Sequence, residues 1–403
     1  MEEKAMNRDI HNYKKRLERQ ICKMETDPAV SENNKKLIHL FVNTSFSEGI
    51  SIGRIVRYVW DLRTWSSFLG KDFEEANKDD IVKLVGDLEI SGRFEKSTMR
   101  DLKLTLRKFF KWMRKTDKFP EEVAWYKTHI RYGGIKSPED MLTEDEIKRM
   151  IESRNTARDR AFIATLYESG CRIGEILTLE LNQVKFDEFG ALLLVNGKTG
   201  FRRVRVIAAV PYLTEWINRH SRKDDNKAPL WLSEQHNVLS YGAAVQILKR
   251  TAKSAGITKR VNPHNFRHSR ASFVANHLTE AQMNEYFGWA QGSDMTSIYV
   301  HLSGRNVDDA LLRLNGIETS SKKAESIMTP IKCPRCEEAN QATNKFCSRC
   351  GIALDKETQF EVVKKTLERK EADDVLDRLI EDREFREILF RKISQMGGAI
   401  RRQ

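Results

Sequence analysis

The sequence predicts a mainly α protein with a small β-sheet (α+β), built from several modules in series, on three observations. Long stretches over 30–133 and 141–315 carry apolar residues at three- and four-residue spacing, the period of an amphipathic helix. One short stretch alternates instead and is interrupted by a glycine-containing turn, the pattern of a β-hairpin. Near the C-terminus, two C-x-x-C pairs mark a segment too short to fold on an apolar core alone.

At 403 residues the chain suits two or three domains, and 40% hydrophobic with 32% charged residues allows real cores under a very polar surface. No apolar run reaches the length of a membrane span, and Met1-Glu2-Glu3-Lys4 opens no apolar signal core, so a cytoplasmic location is expected. A formal charge of +12 and a pI near 9.3 favour a polyanionic partner, which would place the protein on the nucleoid. Charge alone decides little, since many basic proteins bind no nucleic acid specifically.

Taken in order, residues 1–29 form a helical arm with Ile10, Tyr13, Leu17, Ile21 and Met24 in one narrow stripe. Packing on its own domain is favoured over contact with a neighbouring subunit. Residues 30–133 predict a helical domain. Ile55, Tyr58, Val59, Leu62, Trp65 and Leu69 line one apolar face, and Met99, Leu102, Leu106, Phe109, Phe110 and Met113 line another. Around the second face lie Arg100, Lys103, Arg107, Lys108, Lys111, Arg114 and Lys115, with only Asp101 opposing them. A charge run is usually a solvated face; this density predicts a surface that meets phosphates.

Gly133-Gly134 and Pro138 suit a linker, and Thr143-Glu144-Asp145-Glu146 is a capping box that opens a second domain over 141–315. Inside it, Ala191–Val195 and Arg203–Ile207 predict two strands around Asn196-Gly197-Lys198-Thr199-Gly200. A polar linker over 316–330 leads to the cysteine segment at 331–352. Residues 356–397 then predict an amphipathic helix bearing Val375, Leu379, Phe385, Ile388, Leu389 and Ile393.

Four segments of 141–315 hold the parts that metal-free attack on a DNA phosphodiester needs. Such attack requires fixed cations on the non-bridging oxygens, an in-line nucleophile, and a proton donor for the leaving 5′ oxygen. The first segment, Tyr167-Glu168-Ser169-Gly170-Cys171-Arg172-Ile173-Gly174-Glu175, places Arg172 where one helix ends and another begins. The second puts Lys198 at the hairpin turn. The third, Asn262-Pro263-His264-Asn265-Phe266-Arg267-His268, puts His264 and Arg267 three residues apart on one helix. Zinc at His264 and His268 is disfavoured, because no further ligand lies close by in sequence. The fourth runs from Tyr286-Phe287-Gly288-Trp289 to Ser297-Ile298-Tyr299-Val300-His301. Taken singly, each is an ordinary surface arginine, turn lysine or core aromatic.

In their order and spacing, these segments together resemble the tyrosine recombinase (phage integrase) family. The resemblance spans 141–305, and 30–133 looks like that family's helical core-binding domain. It implies that Arg172 and Arg267 grip the scissile phosphate and that Lys198 protonates the leaving 5′ hydroxyl. It further implies that His264 assists proton transfer and that Trp289 packs on the site with its indole N–H. Tyr299 would attack phosphorus to give a 3′-phosphotyrosyl link, and Glu175 would orient the site. The cationic stripe of Arg100, Lys103, Arg107, Lys108, Lys111 and Arg114 would meet DNA. No catalytic metal or nucleotide is implied; four protomers on two DNA sites and a Holliday junction are. Phe287-Gly288-Trp289 replaces the usual Leu-Gly-His, and the stretch to Tyr299 is one residue longer than usual. With His301-Leu302-Ser303-Gly304 following, that form looks like integrases of archaeal viruses and plasmids.

Cys333 and Cys336, then ten residues, then Cys347 and Cys350 fit a closed four-thiolate site of zinc-ribbon type, structural rather than catalytic. Lys332, Arg335, Lys345 and Arg349 make the ribbon's partner DNA or protein alike. Two other readings share many of these residues: a type IB-like topoisomerase, and a non-catalytic zinc-ribbon DNA-binding regulator. Strand exchange separates recombinase from topoisomerase, and covalent adduct formation separates both from the regulator.

Overall fold

The computed structural model describes residues 9–128, 138–197, 200–290, 292–293, 296, 299, 315–316 and 326–400. Its main elements in chain order are α1 (Tyr13–Glu25), α2 (Glu32–Ser47), α3 (Ile52–Leu69), α4 (Lys78–Ile90), α5 (Lys96–Met113), α6 (Glu121–Ala124), α7 (Glu144–Glu152), α8 (Ala157–Ser169) and α9 (Ile173–Leu177). There follow β1 (Val184–Asp187), β2 (Gly190–Gly197), β3 (Gly200–Val206), α10 (Val210–Asn218), α11 (Tyr241–Ser254), α12 (Pro263–Val274) and α13 (Glu280–Phe287). Last come β4 (Ile331–Lys332), β5 (Ala339–Asn340), α14 (Lys356–Glu381) and α15 (Arg383–Ile400). The protein is therefore mainly helical, and the described residues form one three-stranded and one two-stranded sheet. It divides into two compact units. One comprises Met1–Met141, Arg172–Leu179 and Pro229–Ile247; the other comprises Leu142–Cys171, Glu180–Ala228 and Leu248–Gln403.

In the first unit, local chemistry sets the helix ends. The Ser31 hydroxyl accepts from the Asn34 amide at the start of α2, and Asn77 and Asp80 form a reciprocal capping box on α4. Gly70, at φ 68°, closes α3 in the left-handed conformation that glycine adopts without strain. The core joins Phe41, Phe73, Phe109 and Phe110 to Trp65, whose indole N–H donates to the Leu102 carbonyl at 2.9 Å. The α1 helix packs on this same core through Leu17, Ile21 and buried Met24. Asp61 is fully buried in this unit, where its carboxylate accepts from Arg57 at 2.6 Å and from Thr105 at 2.5 Å.

In the second unit, Thr143 and Glu146 form the anticipated capping box on α7. Almost every residue of α8 is buried, so this helix is the unit's central post. The strands pair antiparallel in the order β1-β2-β3, with Leu193 opposite Val204 and Ala191 opposite Val206 on the buried face. The Glu168 carboxylate on α8 accepts from the amides of Ile207, Ala208 and Ala209 at 2.7, 2.9 and 2.7 Å. That contact fixes the end of β3 beside α8. The α12 helix, capped by Asn262 with Pro263 in its first turn, also packs on α8. The segment expected as one helix over 356–397 is two helices, because Asp382 leaves the helical conformation and its carboxylate accepts from the Phe385 amide at 2.8 Å.

Candidate active site

Arg267 on α12 is buried. Its two terminal nitrogens donate to the carbonyls of Gly170 and Phe287, each at 2.7 Å. The guanidinium lies 5.1 Å from the Phe287 ring centre and 5.5 Å from that of Trp289. Backbone dipoles and aromatic faces thus help to hold and orient the cation. Gly170 makes this approach possible. It sits at φ 55°, and a Cβ there would lie 2.4 Å from Phe287 Cε1.

Trp289 stacks on Phe287, with ring centres 4.7 Å apart, and lies parallel to Tyr299, at 5.6 Å with 4° between planes. Tyr299 is 3% exposed, and its hydroxyl bonds to Nδ1 of His268. Burial pushes this phenol up to about 12, while the nearby positive charge of Arg267 pulls the other way. His268 in turn stacks on His264, with ring centres 5.2 Å apart. Although His264 and Arg267 lie one turn apart, His264 is exposed and Arg267 is buried.

The structure therefore brings together Arg267, Trp289 and Tyr299, with His264 joined to them through His268. Arg172 caps α9 in the first unit. Its amide and its guanidinium donate to the two oxygens of buried Glu175, at 2.8 and 3.0 Å. Lys198 lies outside the described residues. Sequence reasoning gave no role to His268, although the H-x-x-R-H run placed it one turn from His264. It also overlooked Arg202 on β3, which donates to the Tyr286 carbonyl at 3.2 Å and to Cys171 Sγ at 3.5 Å.

The cations of α5 are largely engaged within the first unit. Lys103 pairs with Glu89, Lys108 with Glu48, Arg100 with Asp101 and Arg114 with Glu122. Arg107 donates to the carbonyls of Val123, Ala124 and Tyr126. Lys111 is half-buried. These side chains brace α5 against its neighbours.

The sulfurs of Cys333, Cys336, Cys347 and Cys350 all lie within 4.8 Å of one another. Two of their separations are 3.5 and 3.6 Å. A tetrahedral zinc–thiolate site with bonds of about 2.3 Å spaces its sulfurs by roughly 3.8 Å, so the set fits a metal of that kind. Burial works against a thiolate at Cys347, but the Cys350 and Arg349 amides and the Asn340 side chain bring it down to about 6. The Glu338 amide favours a thiolate at Cys336, yet burial and the neighbouring sulfurs push it up to about 12. Four such sulfurs can ionise together only around a cation. Among the described residues, no helix is long and apolar enough to cross a membrane.

Comparison with known proteins places this geometry. Residues 140–305 match the phage integrase family. The tyrosine recombinase XerA of Pyrococcus furiosus is 28% identical over 272 residues, covering 64% of this chain and 88% of the relative. Among solved structures, the XerH site-specific recombinase bound to its difH substrate has a TM-score of 0.51 at 18% identity, over 75% of this chain and 96% of that one. A lambda integrase tetramer bound to a Holliday junction has a TM-score of 0.52 at 15% identity, over 64% of this chain and 78% of that one. At such identities the two structures speak for the fold.

Proposed function

The chain belongs to the tyrosine recombinase (phage integrase) family of DNA breaking-rejoining enzymes, and from that premise we propose that it integrates or excises a mobile element through a phosphotyrosyl bond at Tyr299. The observation that carries this reading is the convergence of one phenol, Tyr299, with the buried guanidinium of Arg267 and the indole of Trp289. In this reading Arg267 and Arg172 hold the non-bridging oxygens of the scissile phosphate, where negative charge gathers in the transition state. Glu175 fixes Arg172, and Trp289 holds the phenol ring flat. Tyr299 Oη displaces the 5′ oxygen, which takes a proton from Lys198. Because the phosphotyrosyl bond retains the free energy of the phosphodiester, a 5′ hydroxyl from a second duplex reseals it, and two such exchanges pass through a Holliday junction.

The partner in this reading is double-stranded DNA at specific sites, held by a homotetramer in the cytoplasm. The likenesses to a DNA-bound recombinase and to a Holliday-junction tetramer support that assembly. The 331–352 segment takes one structural zinc ion on Cys333, Cys336, Cys347 and Cys350, and the domain limits follow those read from the sequence.

The experiment is a denaturing-gel search for covalent protein–DNA adducts on nicked DNA carrying the attachment site next to the element's own gene. The expected result is an adduct with wild type and none with Tyr299→Phe, which should still bind DNA. An adduct formed equally well by the variant would remove Tyr299 as nucleophile. Strand exchange between two sites, rather than relaxation alone, then separates recombination from a topoisomerase reaction.

A further inference from the structure

A phenol attacks phosphorus only as it loses its proton. Burial raises Tyr299 to about 12, so at neutral pH only about one molecule in 10⁵ is already the phenolate. A base in contact with the hydroxyl is therefore needed. The roles carried by the H-x-x-R box stop at Arg267, and the next residue is the one that meets the hydroxyl. His268 Nδ1 bonds to Tyr299 Oη, and the two ring centres lie 5.8 Å apart with 34° between planes. Trp289, parallel to the phenol, keeps the oxygen aimed at that imidazole.

The geometry points to His268 as the catalytic base that takes the Tyr299 proton, an inference that rests on Tyr299 being the nucleophile. For Nδ1 to accept, the neutral ring carries its own proton on Nε2. In the forward step the Oη–H bond breaks and the proton moves to Nδ1, giving an imidazolium. The Oη–P bond forms while the P–O5′ bond breaks, and its electron pair leaves on the 5′ oxygen, which is protonated by the acid assigned above. In the resealing step the 5′ hydroxyl gives its proton back to that same acid, now deprotonated, as the O5′–P bond forms. The P–Oη bond breaks, and the imidazolium returns its proton to the departing phenol oxygen. His264, stacked on His268 but exposed, is left to meet the phosphate. The two histidines thus divide the work that the family resemblance gave to His264 alone.

The test compares single-turnover adduct formation by the full chain on two nicked DNA substrates, one ordinary and one with sulfur as the 5′ bridging atom. A thiolate leaves without a proton, so the sulfur substrate rescues a lost acid but not a lost base. His268→Gln should slow adduct formation about 10²- to 10⁴-fold on both substrates, with DNA binding retained. His268→Asn is measured alongside in case the glutamine variant does not fold. On the sulfur substrate, the wild-type rate should rise with pH through one ionisation that the variants lack. Wild-type rates in a folded variant, or a defect that the sulfur substrate erases, would overturn the assignment. Failure of the underlying reading looks different: there, Tyr299→Phe still forms the adduct.

Discussion

Gln341, in the four-cysteine segment, donates a hydrogen bond to the Glu215 carboxylate on α10 at 2.8 Å. Glu215 is itself fixed by Arg160, whose guanidinium reaches both carboxylate oxygens at 2.8 Å, and by Arg219 at 3.1 Å. Beside it, the Tyr212 hydroxyl meets Thr343 Oγ1 at 3.1 Å. The cysteine segment is therefore docked on α10, and the residues that dock it lie between the two cysteine pairs.

If the cysteine segment holds the proposed zinc, removing it should be felt beyond 331–352. With the four thiolates released, 340–343 lose their shape, and Glu215 loses a charge-assisted hydrogen bond worth about 1.5–3 kcal/mol. Chelation followed by limited proteolysis should open 331–352 first, while α7, α8 and α12 stay protected. Thermal unfolding of that protected unit should begin at a lower temperature. Unchanged cleavage of 331–352 in the chelated protein would argue that the fold there needs no metal.

Gly170→Ala should be among the most damaging single-methyl changes in this protein. A left-handed conformation costs a residue with a Cβ about 1–2 kcal/mol, and the clash with Phe287 adds about 1–3 kcal/mol of overpacking. The same change displaces the carbonyl that orients Arg267. Urea unfolding should show a stability loss in that range, and adduct formation should fall further than stability alone explains.

Asp61 makes a pH-dependent contribution to the first unit. Burial raises its carboxyl from 3.8 to about 6, against the opposing effects of the Thr105 hydroxyl and the Arg57 guanidinium. Raised in the folded state, the group contributes stability that is full below its unfolded value and lost as pH climbs through about 6. Asp61→Asn cannot titrate. Between about pH 4 and pH 7 the stability difference between variant and wild type should therefore move in the variant's favour, by up to about 3 kcal/mol. Urea unfolding of both proteins across that range checks this, and parallel curves would rule it out.

What the sequence disclosed and what it hid divide along sequence separation. The strands around 196–200 were legible because alternation over several residues is a local signal, whereas β1 is four residues with one buried position and carries almost none. The stripe of cations on α5 was legible, but its ion pairs were not. Glu48, Glu89 and Glu122 come from other parts of the chain, and only the folded helices bring them alongside. The break at Asp382 was visible in principle, since an aspartate three residues before Phe385 is a capping pattern; the continuous apolar stripe outweighed it. His268 stood beside Arg267 in the sequence, but its meeting with Tyr299 spans 31 residues and has no local mark.

Arg267→Lys should show why a guanidinium, and not merely a positive charge, stands on α12. Two nitrogens of Arg267 reach two carbonyls from separate segments, Gly170 and Phe287, while its flat face lies against aromatic rings. An ammonium is a point donor on a flexible stem and cannot hold that fork geometry. At least one buried carbonyl would then lose its partner, at a cost of about 1–3 kcal/mol. If Arg267 also binds the scissile phosphate, the lysine keeps the charge but loses its placement. Single-turnover adduct formation should fall by about 10²-fold or more, as for loss of one preorganised donor. Arg267→Ala should be slower still, because it removes the charge as well. A lysine variant with wild-type stability and rate would reduce Arg267 to a simple cation and leave the paired carbonyl bonds without a role in positioning it.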